Sequence, residues 1–427
     1  MKRILFVDDD PLVLRIYQEA LSRQGFYVEP AHDGLAASKA LRTGKPDLMV
    51  LDLMMPKLTG GDVLKFVRSQ PELAKLPVIV LSNSYMDDLA RNAAAAGAQK
   101  ALLKVRCTPS ILLGVIRELL EGGPANEDVS QLLAAPKLEP PAPAREVSAV
   151  APPAAAPPPP AQPAASAAQP APQPQPEASD AEFHAKARSY FLEHSAATCA
   201  ALRNNFQAFA RAKSDAEREV PLQTLYRKVH FLAASAGLAE CYPIARMGSV
   251  FEAMLFGLME RPSLYSPSML RTTALAVDFL EALFQHARGA SHDAPPSGRV
   301  LVVDDDALSS RLVVSALRHA QLKPRSTGDP LVALQWLRDT AYDLVLLDIE
   351  MPGMDGFELC KRLRELPGYQ KTPVIYVTSH GDFESRAKSA LSGGDDLIGK
   401  PVFPMELAVK AMTHLLGSQL SIKPVPG

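Results

Sequence analysis

The 427-residue chain has only four cysteines, Cys107, Cys199, Cys241 and Cys360, none at short spacing. That excludes a disulfide scaffold and a zinc ribbon, and it fits a reducing, cytoplasmic setting. No apolar run approaches the ~18 residues of a membrane span, so no membrane insertion is expected. The start, Met1 to Val7, is briefly basic and apolar, but Asp8, Asp9 and Asp10 end it too early for an export signal. An excess of either charge is missing as well. Lys and Arg number 45 against 47 Asp and Glu, a net −2. No electrostatic footprint for nucleic acid or an anionic membrane is therefore expected. The lone tryptophan, Trp336, falls in a predicted helix and reads as packing.

Proline is abundant, at 38 residues, and it is concentrated. Residues 136–176 are almost entirely Pro, Ala and Gln. They lack the large apolar side chains needed to offset chain entropy, so this stretch reads as a disordered or polyproline tether. At ~3.1 Å per residue such a tether could span up to ~125 Å, or nearer ~35 Å as a coil. A shorter boundary lies at Gly289 to Gly298. The expected divisions are 1–122, a linker at 123–180, a helical block at 181–290, a short linker at 291–298, a last unit at 299–418 and a tail at 419–427. The short second boundary predicts that the central block meets the last unit more often than the first. The central block shows no strand-like alternation. Its 3–4 spacing predicts four helices, near 181–212, 222–238, 242–259 and 266–286, packed as an antiparallel bundle.

The outer blocks repeat each other. RILFVDDD at 3–10 matches RVLVVDDD at 299–306, and LDLMMPKLTGG at 51–61 matches LDIEMPGMDGF at 347–357. The spacings agree to the residue. Asp8 to Asp52 and Asp304 to Asp348 are both 44, Asp52 to Ser82 and Asp348 to Thr378 both 30, and Ser82 to Lys104 and Thr378 to Lys400 both 22. One unit is present twice, 296 residues apart. Short β-branched runs near 3–7, 26–31, 47–51, 77–81 and 100–103 alternate with amphipathic helices. That predicts a five-strand parallel sheet covered on both faces. Each counted residue falls at a strand's carboxyl end, where such sheets gather their ligands.

Three carboxylates in one small site repel each other and call for a cation. Oxygen-only ligands suit Mg²⁺. A lysine and a hydroxyl beside them make an anion site, and a central carboxylate can itself attack phosphorus. The residues thus read as a Mg²⁺-dependent phospho-accepting aspartate, in duplicate.

Both outer units resemble receiver domains of bacterial two-component response regulators. The resemblance covers about 1–121 and 299–418. It implies two flavodoxin-like, doubly wound α/β units. It also implies phosphoacceptors at Asp52 and Asp348, Mg²⁺-side carboxylates at Asp8, Asp9, Asp304 and Asp305, and metal-binding backbone carbonyls at Met54 and Glu350. Ser82, Thr378, Lys104 and Lys400 would bind the phosphoryl group and act as switch residues. The copies differ. Lys400-Pro401 is the pair common in the family, with a usually cis bond, whereas Lys104 precedes Val105, where a cis bond costs roughly 2.5–4 kcal/mol. Asn83 follows Ser82 and narrows access to the phosphoryl group. Ala101 and Leu397 stand where receivers often hold an aromatic switch. These differences favour Asp348 as the better acceptor.

Among nine histidines, His230 has a telling context, with Ala233, Ala234 and Gly237 on its helical face. Small neighbours predict a histidine exposed to a bulky partner. The segment resembles that of histidine phosphotransfer (HPt) domains, four-helix bundles whose phosphorylatable His precedes Leu-Lys-Gly-Ser-Ala-Gly. His230, Leu232, Ser235, Ala236 and Gly237 match. Ala233 and Ala234 replace Lys and Gly, and Arg227 could partly supply the missing charge. The resemblance implies a phosphorelay. A sensor histidine kinase or a separate phosphotransfer protein would phosphorylate a receiver aspartate, and His230 would exchange phosphoryl groups with it. No ATP-binding motif is present, so no kinase activity is expected. No DNA-binding motif follows Leu416, so output is expected through protein contacts. The alternative is a phosphorylation-controlled scaffold of motility, chemotaxis or polarity type, with a docking bundle that is never phosphorylated.

Overall fold

The computed structural model describes residues 1–55, 58–82, 96–104, 107–121, 177–289, 297–378 and 392–422. The proline-rich stretch, Asn83, Val105 and the side chain of Ser82 lie outside the description. The N-terminal unit runs β1 (Arg3–Val7), α1 (Pro11–Arg23), β2 (Tyr27–Ala31), α2 (Gly34–Gly44), β3 (Leu48–Asp52), α3 (Gly60–Ser69), β4 (Val78–Ser82), β5 (Lys100–Leu103) and α4 (Pro109–Glu121). Its sheet is parallel in the order β2-β1-β3-β4-β5. Strands β1 and β3 are apolar on both faces because helices cover both sides. Order and direction put the carboxyl ends of β1, β3 and β5 at one edge.

The C-terminal unit repeats this plan with β6 (Arg299–Val303), α10 (Ala307–His319), β7 (Lys323–Thr327), α11 (Pro330–Asp339), β8 (Leu344–Asp348), α12 (Gly356–Glu365), β9 (Val374–Thr378), β10 (Asp396–Gly399) and α13 (Pro404–Leu420). Its order is β7-β6-β8-β9-β10, again parallel. The loop after the central strand is drawn tight in both copies. A Cβ on Gly60 would lie 2.1 Å from the Asp52 carbonyl oxygen, and one on Gly356 would lie 2.1 Å from that of Asp348. Only glycine allows that approach.

The central block forms α5 (Glu177–Glu193), α6 (Ser195–Arg211), α7 (Asp215–Leu238), α8 (Tyr242–Glu260), a 3₁₀ turn (Pro262–Leu264) and α9 (Pro267–Gly289). Helices α6 to α9 make the expected four-helix bundle. The single helix expected over 181–212 is broken at His194, whose backbone leaves the helical range at φ −89°, ψ 2°. Ser195 Oγ donates to the Leu192 carbonyl at 2.5 Å, and Arg288 donates to Ser195 Oγ at 2.7 Å, fixing the bend. Beyond the break, α5 bridges two units: Phe191 packs on Phe284 and Arg188 donates to the Ala287 carbonyl at 3.1 Å on the bundle side, while its N-terminal half lies on the N-terminal unit. There Phe183 meets Tyr17 at 5.9 Å between ring centroids. Ser110 donates to Asp180 at 2.8 Å, and Lys186 pairs with Glu19 at 3.3 Å. Phe183 and Leu238 thereby join the core of the N-terminal unit.

The C-terminal unit is seated on the bundle differently. Helix α13 is buried along most of its length, and its apolar residues share one continuous core with α8 and α9. Ser268 and Thr272 of α9 donate to Glu406 at 2.6 and 2.9 Å, and Phe403 packs on Gly257. Both outer units therefore contact the bundle. The boundary lengths alone predicted a preference for the last.

Helices α7 and α8 approach closely. A Cβ on Gly248 would lie 3.0 Å from Ala233 Cβ and 3.2 Å from its Cα. The lysine that the HPt motif carries at position 233 has no room here. Ala233→Lys should destabilise the protein by at least about 3 kcal/mol, through overpacking and a buried charge. A urea-unfolding midpoint unchanged from the parent would refute this packing. A second test concerns Asp396 on β10, which accepts from Lys410 at 2.7 Å and His414 at 3.2 Å, both on α13. Burial pushes this carboxyl up, but the His414 hydrogen bond and the Lys410 charge outweigh it and hold the pKa well below the usual range. A depressed folded-state pKa gives stability that is present above the unfolded value near 3.9 and lost as pH falls. Asp396→Asn should cost on the order of 2 kcal/mol at pH 7. The gap from the parent should begin to narrow as pH drops below about 5 and keep narrowing well below pH 3, where the folded-state carboxyl finally protonates. A gap that stays constant from pH 7 to 3 would rule out the clamp.

Candidate functional site

Each parallel sheet delivers its carboxylates to one edge. In the N-terminal unit, Asp8 follows β1, Asp52 ends β3 and Lys104 follows β5. Lys104 Nζ donates to Asp52 Oδ2 at 2.7 Å and lies 2.8 Å from Asp8 Oδ2. Met54 N donates to Asp52 Oδ1 at 3.1 Å. In the C-terminal unit, Lys400 Nζ donates to Asp348 Oδ2 at 2.6 Å and lies 3.2 Å from Asp304 Oδ2, and Glu350 N donates to Asp348 Oδ1 at 3.3 Å. Thr378 ends β9, buried, and its carbonyl accepts from Lys400 N at 2.6 Å. The peptide bond Lys400–Pro401 is cis. The expected residues thus converge twice, Ser82 being placed only as the last residue of β4.

Asp8, Asp9 and Asp52 bring oxygens within 4.8 Å of one another, as do Asp304, Asp305 and Asp348. Burial, with the Asp52 charge added, pushes Asp8 up to about 8 and Asp9 up to about 6, despite Lys104. Asp9 Oδ1 is buried and has no hydrogen-bond partner among the described residues. An all-oxygen donor set, an orphaned carboxylate oxygen and carboxyls that resist ionisation together fit a hard divalent cation.

The two sites differ in access. Lys104 is fully buried where Lys400 keeps 18% of its side chain exposed. Asp9 is half-buried where Asp305 is exposed. The cause is α7, which lies over the first site and brings His230 to it. His230 Nε2 stands 3.8 Å from Asp52 Oδ2. The expectation of an exposed histidine is corrected: His230 is only 3% exposed, because the N-terminal unit already occupies its face. Its small neighbours serve that contact and the close packing on α8. Arg227 is exposed, and no described contact ties it to the site.

One residue of this site escaped the sequence reading. Glu252, on α8, is fully buried, and its Oε1 lies 2.5 Å from His230 Nδ1. Tyr226 donates to the same oxygen at 3.4 Å and stacks near the imidazole. Its available signal was a lone acidic residue inside the apolar helix Tyr242–Glu260. Burial opposes charge on His230, but Glu252 and Asp52 on either side of the ring prevail and push it up to about 10. Burial would likewise raise Asp52, yet Lys104 and His230 hold it well below the usual carboxylate range.

Residues 4–116 and 300–412, together just over half of the chain, match the response regulator receiver domain model. The chain belongs to the response regulator receiver family. Receiver domains of response regulators imply phosphorylation-dependent signalling. Over 124 residues it is 40% identical to the cyclic di-GMP phosphodiesterase response regulator RpfG of Xanthomonas campestris, covering 28% of this chain and 32% of that protein. Over 117 residues it is 37% identical to the DNA-binding response regulator MtrA of Mycolicibacterium paratuberculosis, covering 27% of this chain and 51% of that one. The chain thus spans a third to a half of these curated relatives. Among solved structures, the chemotaxis response regulator CheY4 of Vibrio cholerae is 28% identical, covers 28% of this chain and 99% of its own, and gives a TM-score of 0.26. Among the described residues no helix is long and apolar enough to cross a membrane.

The difference in access between the receivers is measurable. A small phosphodonor such as acetyl phosphate, with Mg²⁺, should label Asp348 faster than Asp52 in the intact chain. Asp348→Asn should remove most of the early base-labile label. If Asp52→Asn removes most of it instead, the first site is not closed in solution.

Proposed function

We propose that this chain is a phosphorelay protein in which a phosphoryl group passes between Asp52 and His230. The observation that carries this reading is the placement of His230 Nε2 3.8 Å from the Asp52 carboxylate, with Nδ1 held by Glu252 at 2.5 Å. A phosphoryl group on Asp52 would lie in line between the two. The proton that Nε2 carries in the resting pair leaves to solvent, and the ring keeps its proton on Nδ1 toward Glu252. The Nε2 lone pair then attacks phosphorus. The acyl O–P bond breaks, its electron pair returns to the Asp52 carboxylate, and a phosphohistidine forms. Glu252 neutralises the positive charge this places on the ring, and Lys104 receives the restored carboxylate. The reverse step uses the same groups.

Asp8, Asp9 and Asp52, with the Met54 carbonyl, would hold Mg²⁺ in the first receiver. Asp304, Asp305, Asp348 and the Glu350 carbonyl would hold it in the second. The ion would neutralise phosphoryl oxygens during acceptance. Ser82 and Thr378 would donate to the phosphoryl group. Asp348, in the open receiver, would meet a sensor histidine kinase or a separate phosphotransfer protein. Output would pass through protein contacts.

Labelling with acetyl phosphate and Mg²⁺ tests the transfer, because aspartyl phosphate is lost in base whereas phosphohistidine survives base and is lost in acid. A base-stable fraction should appear in the intact chain. It should vanish with His230→Gln or Asp52→Asn and persist with Asp348→Asn. Glu252→Gln should reduce it roughly tenfold or more, the scale of a lost charge-assisted hydrogen bond. If all label is base-labile in the parent, the bundle is a docking scaffold and the relay reading fails.

A further inference from the structure

The lysine beside each acceptor aspartate is followed, three residues on, by a residue of different character in the two receivers. In the first it is Cys107, buried in the core of its own unit. In the second it is Phe403, which precedes α13 and packs on the bundle. Its ring fills the place that a side chain at position 257 would take, since a Cβ on Gly257 of α8 would lie 2.7 Å from Phe403 Cζ. The segment Lys400-Pro401-Val402-Phe403-Pro404 holds two prolines, whose fixed φ stiffens it. It is pinned on both sides. Lys400 donates to Asp348 at 2.6 Å, and Glu406 accepts from Ser268 and Thr272 of α9. Beyond Gly257, α8 carries the contacts of the histidine. Phe256 packs on Tyr226 at 6.1 Å between ring centroids, and Tyr226 stacks on His230 at 6.1 Å. Tyr226 also donates to Glu252, which lies one turn before Phe256 on the same face of α8. A continuous row of packed side chains thus runs from Lys400 in the second site to His230 at the first.

We propose that Phe403 is a positioning residue through which the second receiver regulates phosphoryl exchange between Asp52 and His230. While Asp348 carries no phosphoryl group, Lys400 sits on its carboxylate, and Phe403 braces α8 with Glu252 against Nδ1. Acetyl phosphate passes its phosphoryl group to a carboxylate oxygen of Asp348, and acetate leaves with the electron pair of the broken O–P bond. The new group places negative charge beyond the carboxylate, and the Lys400 ammonium follows it outward onto phosphoryl oxygens. Because Glu406 is held on α9, the stiff segment passes this shift to Phe403, which lifts from Gly257. Helix α8 then loosens, Glu252 fixes the imidazole less well, and exchange slows. A phosphorylated second receiver therefore turns the relay down. Phe403 touches neither phosphoryl group. The inference rests on the Asp52–His230 transfer reading and adds to it the group that regulates it.

The test labels the full chain and its Asp348→Asn, Phe403→Leu and double variants with acetyl phosphate and Mg²⁺. Borohydride reduction to homoserine and peptide mapping separate the label on Asp52 from that on Asp348, and base-stable label reports His230. The readout is the ratio of base-stable label to Asp52 label. Asp348→Asn, which has no carboxylate to phosphorylate, should raise this ratio about fivefold over the parent, the low end of an allosteric coupling. Phe403→Leu should leave the ratio at the parent's low value, and adding Asp348→Asn to it should no longer raise it. A merely structural role for Phe403 would lower the ratio equally with and without Asp348 and leave the difference standing. Gly257→Ala, which displaces the ring by a single methyl group, should likewise abolish the difference, and it serves where Phe403→Leu fails to fold. Two outcomes overturn the proposal: a ratio in Asp348→Asn within twofold of the parent, or a rise that survives in Phe403→Leu or Gly257→Ala. Absence of base-stable label from both the parent and Asp348→Asn overturns the transfer reading instead.

Discussion

Five ionisable groups held out of water govern the architecture: Asp8, Lys104, Asp52, His230 and Glu252 follow one another, acid next to base, through one buried run of contacts. Each is adjacent to its opposite, at 2.8 Å, 2.7 Å, 3.8 Å and 2.5 Å in turn. An unpaired buried charge is expensive, and removing one partner of a buried pair typically costs about 3–5 kcal/mol. The run begins in the receiver and ends in the bundle. The receiver supplies three members and the bundle two, and the Asp52–His230 contact is where the two halves meet. The same alternation prepares the site for chemistry. A phosphoryl group placed at the centre finds cationic groups on both sides, already oriented and shielded from competing water.

Duplication with divergence explains the rest of the layout. Both receivers keep the strand order, the tight glycine loop and the lysine across from the acceptor. What changed is the surface each turns to the bundle. The first presents its acidic edge and meets a histidine. The second presents its last helix and keeps its acidic edge open. Position 110 of the first and position 406 of the second are equivalent, and both bond to the central block, yet to different helices: Ser110 to Asp180 on α5 and Glu406 to Ser268 and Thr272 on α9.

The receivers were readable in the chain because their chemistry is bound to strand ends. Spacing along the sequence then fixes position in space, and a second copy at a constant offset repeats the message. The bundle was readable as helices for the same local reason. The break at His194 was not, since it answers to Arg288 on a distant helix. Glu252 was hidden because helical periodicity marks which face is buried, not which buried carboxylate meets a histidine one helix away. Phe403 meets Gly257 across two separately folded units. No local pattern encodes how two folded units will sit on each other, so the most informative contact in the molecule was the least visible.

Helix α13 is enclosed by its own sheet on one side and by α8 and α9 on the other. A receiver whose last helix lies on the surface has that face free for a like partner. Here it is spent inside the chain. Two copies of this protein cannot meet back to back through α13 without first unseating a bundle, so the geometry of any larger assembly must be built from other surfaces.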